Sequence, residues 1–348
     1  MYDEDIELIN NFHALAGHSK NSIKTYKTVF NKYRKIHGMS LTSLLNEALE
    51  DQNNNVPENE LRVFDRINSF KRFLIQNHTG NTVTTSLPKI KTFYKYNRVK
   101  LPFIPPINKK MIKQNDFISY DDLLTKSEIK KGLSIANDVT KDWILVMVSS
   151  GVSLMEAKSM TNQTLFEGTY EYHKKDNFKK ALRYLSRMDN VICTCKLIRQ
   201  KTNKPYYTFL SPECVQNIAS NKLKNKDFEL ENPLLRYNID YIQKRCRQIN
   251  DYFKFGYAGG YTRFRPHMFR KFNATQLNQA YLSNNLNMDL VDSLQGRGKG
   301  LTRDAYFKNN PNVLKFHYVK VLNNVSLYNR YEVSVKNGEL SICRIWKW

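Results

Sequence analysis

Two stretches in the C-terminal half carry residue types and spacings suited to work on a phosphate. In Arg265-Pro266-His267-Met268-Phe269-Arg270-Lys271, His267 and Arg270 stand three apart. On a helix starting near His267 they share one face. A guanidinium binds phosphate with two parallel N–H groups, and an imidazole moves protons near neutral pH. Standing alone this spacing is weak, and a satisfied surface pair is its simplest reading. Downstream comes Leu294-Gln295-Gly296-Arg297-Gly298-Lys299-Gly300-Leu301-Thr302-Arg303-Asp304-Ala305-Tyr306. Its three glycines, interleaved with Arg297, Lys299 and Arg303, describe a cationic loop able to approach a phosphate closely. Tyr306 follows Arg297 by nine residues. Taken singly it is one of 21 tyrosines, any of which can pack an amphipathic helix. The order of HxxR, Gly-flanked cation and tyrosine makes it a candidate nucleophile.

Those groups need elements to hold them. The run Trp143 to Val148 is apolar all round and reads as a buried helix. Val191–Ile198 and Tyr206–Leu210 have strand composition, and the polar turn 201–205 between them predicts a hairpin carrying Lys201 and Lys204. Further helices are expected over about 212–223, 238–254, 267–281 and 288–295. A closing hairpin is expected over 330–335 and 339–345, with a tight turn at Asn337-Gly338.

The N-terminal third reads as helices over about 19–37, 59–77 and 82–97, each with apolar residues three and four apart. Between the first two, the acidic and Asn-rich stretch 46–60 reads as a helix end followed by a loop. Leu101-Pro102-Phe103-Ile104-Pro105-Pro106 cannot continue a helix. The expected organisation is a helical domain over 1–100, a basic linker over 101–118, and a mixed α+β domain over 119–348 with a small antiparallel sheet, and the resemblance given below implies that the first of these binds DNA.

Composition narrows the partner. The chain has 348 residues, with 55 Lys and Arg against 32 Asp and Glu, a formal charge of +23. Such self-repulsion is ordinarily kept for a polyanion, first nucleic acid and second an anionic membrane, although a generally basic soluble protein has the same balance. From Arg66 to Asn115 there are eleven Lys or Arg and no acid. Lys89, Lys91, Lys95, Arg98, Lys100, Lys109, Lys110 and Lys113 from this stretch are candidate phosphate contacts, with Lys299 and Arg303 from the loop. No apolar run approaches the roughly 20 residues of a membrane span, and the acidic start Met1-Tyr2-Asp3-Glu4-Asp5 is unlike a signal peptide. Cys193, Cys195, Cys214, Cys246 and Cys343 have no zinc spacing. Reduced thiols and a cytoplasmic location are expected.

With these residues on the page, the sequence resembles the tyrosine recombinases, or phage-type integrases, over roughly residues 15–325. His267-Met268-Phe269-Arg270-Lys271 resembles their HxLR[HRK] box, and Leu294 through Tyr306 their LGH…T…Y box. The Gln295-Gly296-Arg297 version looks like that of archaeal and archaeal-virus integrases. Ser149 to Glu156 looks like the family's SGxRxxE turn, and 202–213 like its hairpin. The resemblance implies site-specific integration or excision of a mobile or viral element through a 3′-phosphotyrosyl link at Tyr306, with no cofactor and no metal. Arg270 and Arg297 would hold the phosphate, His267 would assist proton transfer, and Lys201, with Lys204 as alternative, would protonate the leaving 5′-oxygen. It implies a tetramer on double-stranded DNA, and residues 312–348 are the candidates for docking on a neighbour.

One position departs from the family pattern. Its first arginine would fall at Ser153 or Leu154. Lys158, Arg183 and Arg187 are the substitutes the sequence offers. The departure keeps open a second reading, a DNA-binding protein of the same fold with impaired or no catalysis. An RNA-binding or membrane-surface protein would leave the ordered Lys, HxxR, Gly-Arg and Tyr series unexplained.

Overall fold

The computed structural model describes residues 4–108, 110, 112, 118–284, 288–297, 310–336 and 339–345, without the side chains of 281–288 and 335–340. The chain divides into two compact units, Met1–Asp116 and Phe117–Trp348. It is mainly helical with small antiparallel sheets, and no described helix is long and apolar enough to cross a membrane.

The first unit contains α1 (Glu4–Leu15), α2 (Lys20–His37), α3 (Leu41–Asn53), α4 (Arg62–Asn77) and α5 (Gly80–Tyr96). Sequence periodicity foretold α2, α4 and α5 but neither α1 nor the length of α3. Ser19 and Ser40 cap α2 and α3 by accepting backbone N–H groups of Ser22 and Ser43. Phe12, Phe30, Tyr33, Ile67, Phe70, Leu74, Ile90 and Phe93 fill the core. The Tyr33 and Tyr94 hydroxyls pair at 3.1 Å inside it, so neither polar tip is buried unmatched. The Pro-rich stretch after α5 packs back on this unit: Ile104 and Ile112 join its core, and Lys71 Nζ donates to the Pro105 carbonyl at 2.8 Å.

The second unit is built around α7 (Asp138–Ser150), buried along most of its length. Its Trp143 has no exposed surface, and its indole N–H donates to the Arg236 carbonyl at 2.9 Å. Preceding it is α6 (Lys126–Ser134). After it come the short helices α8 (Leu154–Ser159), α9 (Asn162–Gly168), α10 (Tyr170–His173) and α11 (Phe178–Leu185). Strands β1 (Cys193–Arg199) and β2 (Lys204–Leu210) pair antiparallel, from Cys193 opposite Leu210 to Arg199 opposite Lys204. Then follow α12 (Pro212–Lys224), α13 (Ile239–Phe253) and a two-residue hairpin, β3 (Tyr257–Ala258) with β4 (Tyr261–Thr262). The unit continues with α14 (Pro266–Asn284), α15 (Met288–Leu294), α16 (Pro311–Lys320), α17 (Leu322–Val325) and the hairpin β5 (Arg330–Lys336)–β6 (Glu339–Ile345).

The last helices and the closing hairpin pack on the second unit. Leu314, Tyr318 and Val319 are buried with Ile192 and Phe209. The Glu213 carboxylate accepts the backbone N–H groups of Leu327, Tyr328 and Asn329 at 2.6, 3.0 and 3.4 Å. Tyr331 and Ile342 of the last hairpin belong to the same cluster. Charge-assisted bonds from a buried carboxylate to three successive amides hold the chain here.

Candidate functional site

The C-terminal end of α7 organises the site, because the last carbonyls of a helix need donors from elsewhere. Asn273 Nδ2 on α14 donates to the Val148 and Ser149 carbonyls at 2.9 and 3.1 Å. Tyr318 supplies a second bond to Ser149, at 3.0 Å. Thr208 of β2 donates to Ser150 at 2.9 Å. Arg270 of α14 donates through Nη1 to the Gly151 carbonyl. One helix end thereby fixes α14, α16 and the β1–β2 hairpin around a point.

Two tight turns meet there. Gly151 has φ +67°, and a Cβ on it would lie 2.2 Å from Asn273 Oδ1 and 2.7 Å from Gln295 Nε2. Gly296, with φ +63°, ends α15, and its Cβ would press on the Tyr206 ring at 2.9 Å. Only glycine allows both the conformation and the approach. The second turn aims the Gln295 carbonyl inward, where it accepts from Arg270 Nη2 at 2.9 Å and from Arg199 Nη1 at 2.7 Å. The Gln295 side chain has no exposed surface and donates to Asn273 Oδ1 at 2.8 Å.

Arg199 had no assigned role from sequence. It closes β1, and it lies with Arg270 against one carboxylate: Glu156, 2% exposed, is 3.6 Å from Arg199 and 3.8 Å from Arg270. Glu156 and Ser153 form a reciprocal cap at the start of α8, with Ser153 N–H donating to Glu156 Oε2 at 2.8 Å. The slot where the resemblance calls for an arginine is thus occupied by a helix cap. The substitutes offered from sequence stand elsewhere: Lys158, Arg183 and Arg187 are exposed, and among the described contacts none reaches Glu156 or Arg270.

Two guanidinium charges against one carboxylate leave a positive charge unbalanced. Burial, then the neighbouring Arg199, pulls the Arg270 pKa down to about 10, so it remains a cation at neutral pH. Burial and the Glu156 charge push the Tyr206 phenol up. His267, one helical turn before Arg270, is exposed. Protein packed around its ring, then the charges of Lys271, Arg265, Arg270 and Arg297, hold its pKa below 6.5. The imidazole is therefore neutral at pH 7 and able to accept a proton. Arg297 is half-exposed, 3.6 Å from Asp292, and its N–H donates to the Asp292 carbonyl at 2.7 Å. Two guanidinium groups against one buried carboxylate suit an anion.

Lys201 is exposed in the β1–β2 turn, and Lys204 opens β2 opposite Arg199. The turn hangs from Arg199, whose carbonyl accepts the N–H groups of Thr202 and Asn203 at 3.2 and 2.7 Å. Tyr306, Lys299 and Arg303 lie outside the described residues, as do Lys109 and Lys113.

In the first unit two of the basic candidates, Lys89 and Lys91, fall on opposite sides of α5. Lys91 and Lys95 are four apart on α5, and burial with the charges of Lys71 and Lys95 lowers the Lys91 pKa. Lys89 is two residues from Lys91, on the opposite side of the helix, with its ammonium 5.7 Å from the centre of the Tyr26 ring. Arg66 is spent on Glu47 through two 3.0 Å bonds. Arg98, Lys100 and Lys110 are exposed. Among the described residues no group of three or more His, Cys, Asp or Glu could hold a metal ion.

No family model and no curated protein matches the sequence. Among solved structures, XerA recombinase is 17% identical with TM-score 0.35, covering 90% of this chain and 97% of that one. The integrase from mycobacterium phage Brujita is 10% identical with TM-score 0.39, covering 94% and 95%. A lambda integrase dimer bound to a COC′ core site is 8% identical with TM-score 0.42, covering 87% and 97%.

Proposed function

We propose that this chain is a site-specific DNA recombinase that breaks and rejoins strands through a phosphotyrosyl intermediate at Tyr306, integrating or excising a mobile or viral element. What supports the reading is that the charges of Arg270 and Arg297 act on His267 and the turn carrying Lys201 is tied to Arg199 beside Arg270, with Lys201, His267, Arg270 and Arg297 following one another along the chain as the resemblance implies. The Tyr306 oxygen attacks phosphorus, the bond from phosphorus to the 5′-oxygen breaks, and a 3′-phosphotyrosine and a 5′-hydroxyl result. Neutral His267 takes the phenol proton. Arg270 and Arg297 hold the nonbridging oxygens as negative charge grows on them, with no reorganisation needed at the moment of reaction. Lys201 gives its proton to the leaving oxygen. The phosphotyrosyl bond keeps the energy of the phosphodiester, so the 5′-hydroxyl of another strand can reverse the step. Lys91, Lys95, Arg98, Lys100 and Lys110 contact the duplex backbone, and protomers assemble as a tetramer on two DNA sites in the cytoplasm.

The second reading, a DNA-binding protein without catalysis, draws on the empty arginine slot at Ser153. A duplex nicked just beyond the cleavage position and carrying the element's attachment region separates the two. Wild type should leave protein covalently joined to DNA after denaturation, and Tyr306→Phe should not, although it binds the duplex as tightly. Salt-sensitive binding by wild type with no adduct would select the second reading.

A further inference from the structure

We propose that Arg199 is a phosphate-contacting residue that acts as a pair with Arg270, forming one anion clamp across the end of β1 and the first turns of α14. The proposal rests on the phosphoryl-transfer reading above for its substrate, a DNA phosphodiester. It rests on geometry for the site itself.

The two guanidinium groups share one acceptor, the Gln295 carbonyl, at 2.7 and 2.9 Å, so their nitrogens converge on the same atom. Like charges are brought this close only where something negative offsets them, and Glu156 offsets one of the two. A guanidinium has five N–H donors. Among the described residues, Arg270 uses two nitrogens on carbonyls, and Arg199 uses one. Donors therefore remain on both forks, and the Arg199 and Arg270 side chains are 18% and 10% exposed, open enough to meet a ligand and dry enough to bind it well.

The clamp is also tied to the acid. The Arg199 carbonyl receives two N–H groups of the turn that carries Lys201. A phosphate held by the Arg199 side chain therefore lies at a fixed place relative to that turn. This is the chain's answer to Ser153: the second guanidinium comes from a strand, while the helix start is given over to capping.

The test uses the full chain and two probes. With inorganic phosphate at matched ionic strength, thermal unfolding of wild type should show stabilisation. Arg199→Ala and Arg270→Ala should each weaken phosphate roughly 10- to 100-fold, the effect of losing a charge-assisted contact. Arg199→Lys, which keeps the charge and the packing but not the fork, should fall between. A phosphate response that survives Arg270→Ala, no response in wild type, or Arg199→Ala binding within about twofold of wild type overturns the proposal. The second probe is the nicked duplex with its scissile phosphate replaced by an uncharged methylphosphonate. The adduct-forming deficit of Arg199→Ala should shrink on this substrate, because the charge it met is gone. An equal deficit on both substrates would mark a purely structural arginine and overturn the assignment. If wild type forms no adduct but the pair still binds phosphate, the recombinase reading fails and the clamp stands.

Discussion

Glu156→Gln should destabilise the second unit and, at the same time, tighten its grip on anions. The carboxylate is 2% exposed and stands 3.6 and 3.8 Å from two guanidinium groups. At those distances each attraction amounts to roughly 4 kcal/mol in an effective dielectric near 20, before desolvation is subtracted. Glutamine keeps the volume and an oxygen for the Ser153 N–H, so the helix cap survives and only the charge is lost. Removing one partner of a buried ion pair costs about 3 to 5 kcal/mol, and the lower end applies here because both guanidinium groups retain carbonyl acceptors. For a unit of this size about 3 kcal/mol lowers Tm by roughly 6–12 °C. The same substitution leaves two unopposed cations, so inorganic phosphate should bind on the order of tenfold more tightly. Thermal unfolding with and without phosphate reads both effects in one experiment. A variant that lost stability yet bound phosphate no better would refute the reasoning, since Glu156 would then be packing rather than balancing charge.

Other consequences can be measured separately. Adduct formation should be level above neutrality and fall as pH drops through the depressed His267 pKa, because protonation removes the proton acceptor; His267→Gln should lower the rate and erase that acid limb, and an unchanged limb would assign it elsewhere. Lys201→Ala should slow cleavage by roughly 10²- to 10⁴-fold and be rescued by a 5′-bridging sulfur, a leaving group that needs no proton; rescue of Lys204→Ala instead would move the acid to Lys204. Burial pushes Asp142 up to about 7, although Asn217 and Asn221 donate to it. The folded state then holds a proton that the unfolded state releases near 3.8, so stability should decline as pH rises from about 4 to 7, by an upper bound of roughly 4 kcal/mol. Asp142→Asn should flatten Tm over that range, and a slope that persists would exonerate the residue.

Local pattern revealed much of the fold and part of the site. The periodic helices α2, α4, α5, α12, α13 and α14 and the β1–β2 and β5–β6 strands were legible because each has a repeating apolar face or strand composition. Helix α1 escaped because its apolar residues, exposed Ile6 and Leu15 among them, do not keep to one face. The short helices between 154 and 185 lack the length for a period to emerge. His267 and Arg270 became candidates through their order with the Gly-flanked Arg297 and Tyr306, since their spacing alone reads as an ordinary surface pair. Arg199 was not, because nothing in the composition of β1 separates it from an ordinary strand-end cation; its place depends on hairpin register and on a carbonyl 96 positions away. One clue was available. Ser153 followed three residues later by Glu156 is a capping-box signature, which explains why that slot holds no arginine. Helical geometry likewise separates Lys89 from Lys91, although a simple tally of basic residues merges them.

The central claim is that Tyr306 becomes bonded to DNA. The most direct measurement isolates the covalent complex from a nicked duplex, digests it with nuclease and trypsin, and locates the nucleotide by mass spectrometry. Trypsin cuts after Arg303 and Lys308, releasing a five-residue peptide, Asp304 to Lys308, whose one tyrosine is Tyr306. A phosphonucleotide on that tyrosine is the predicted result. A nucleotide on any other residue, or no covalent complex from a protein that binds the duplex, would contradict it.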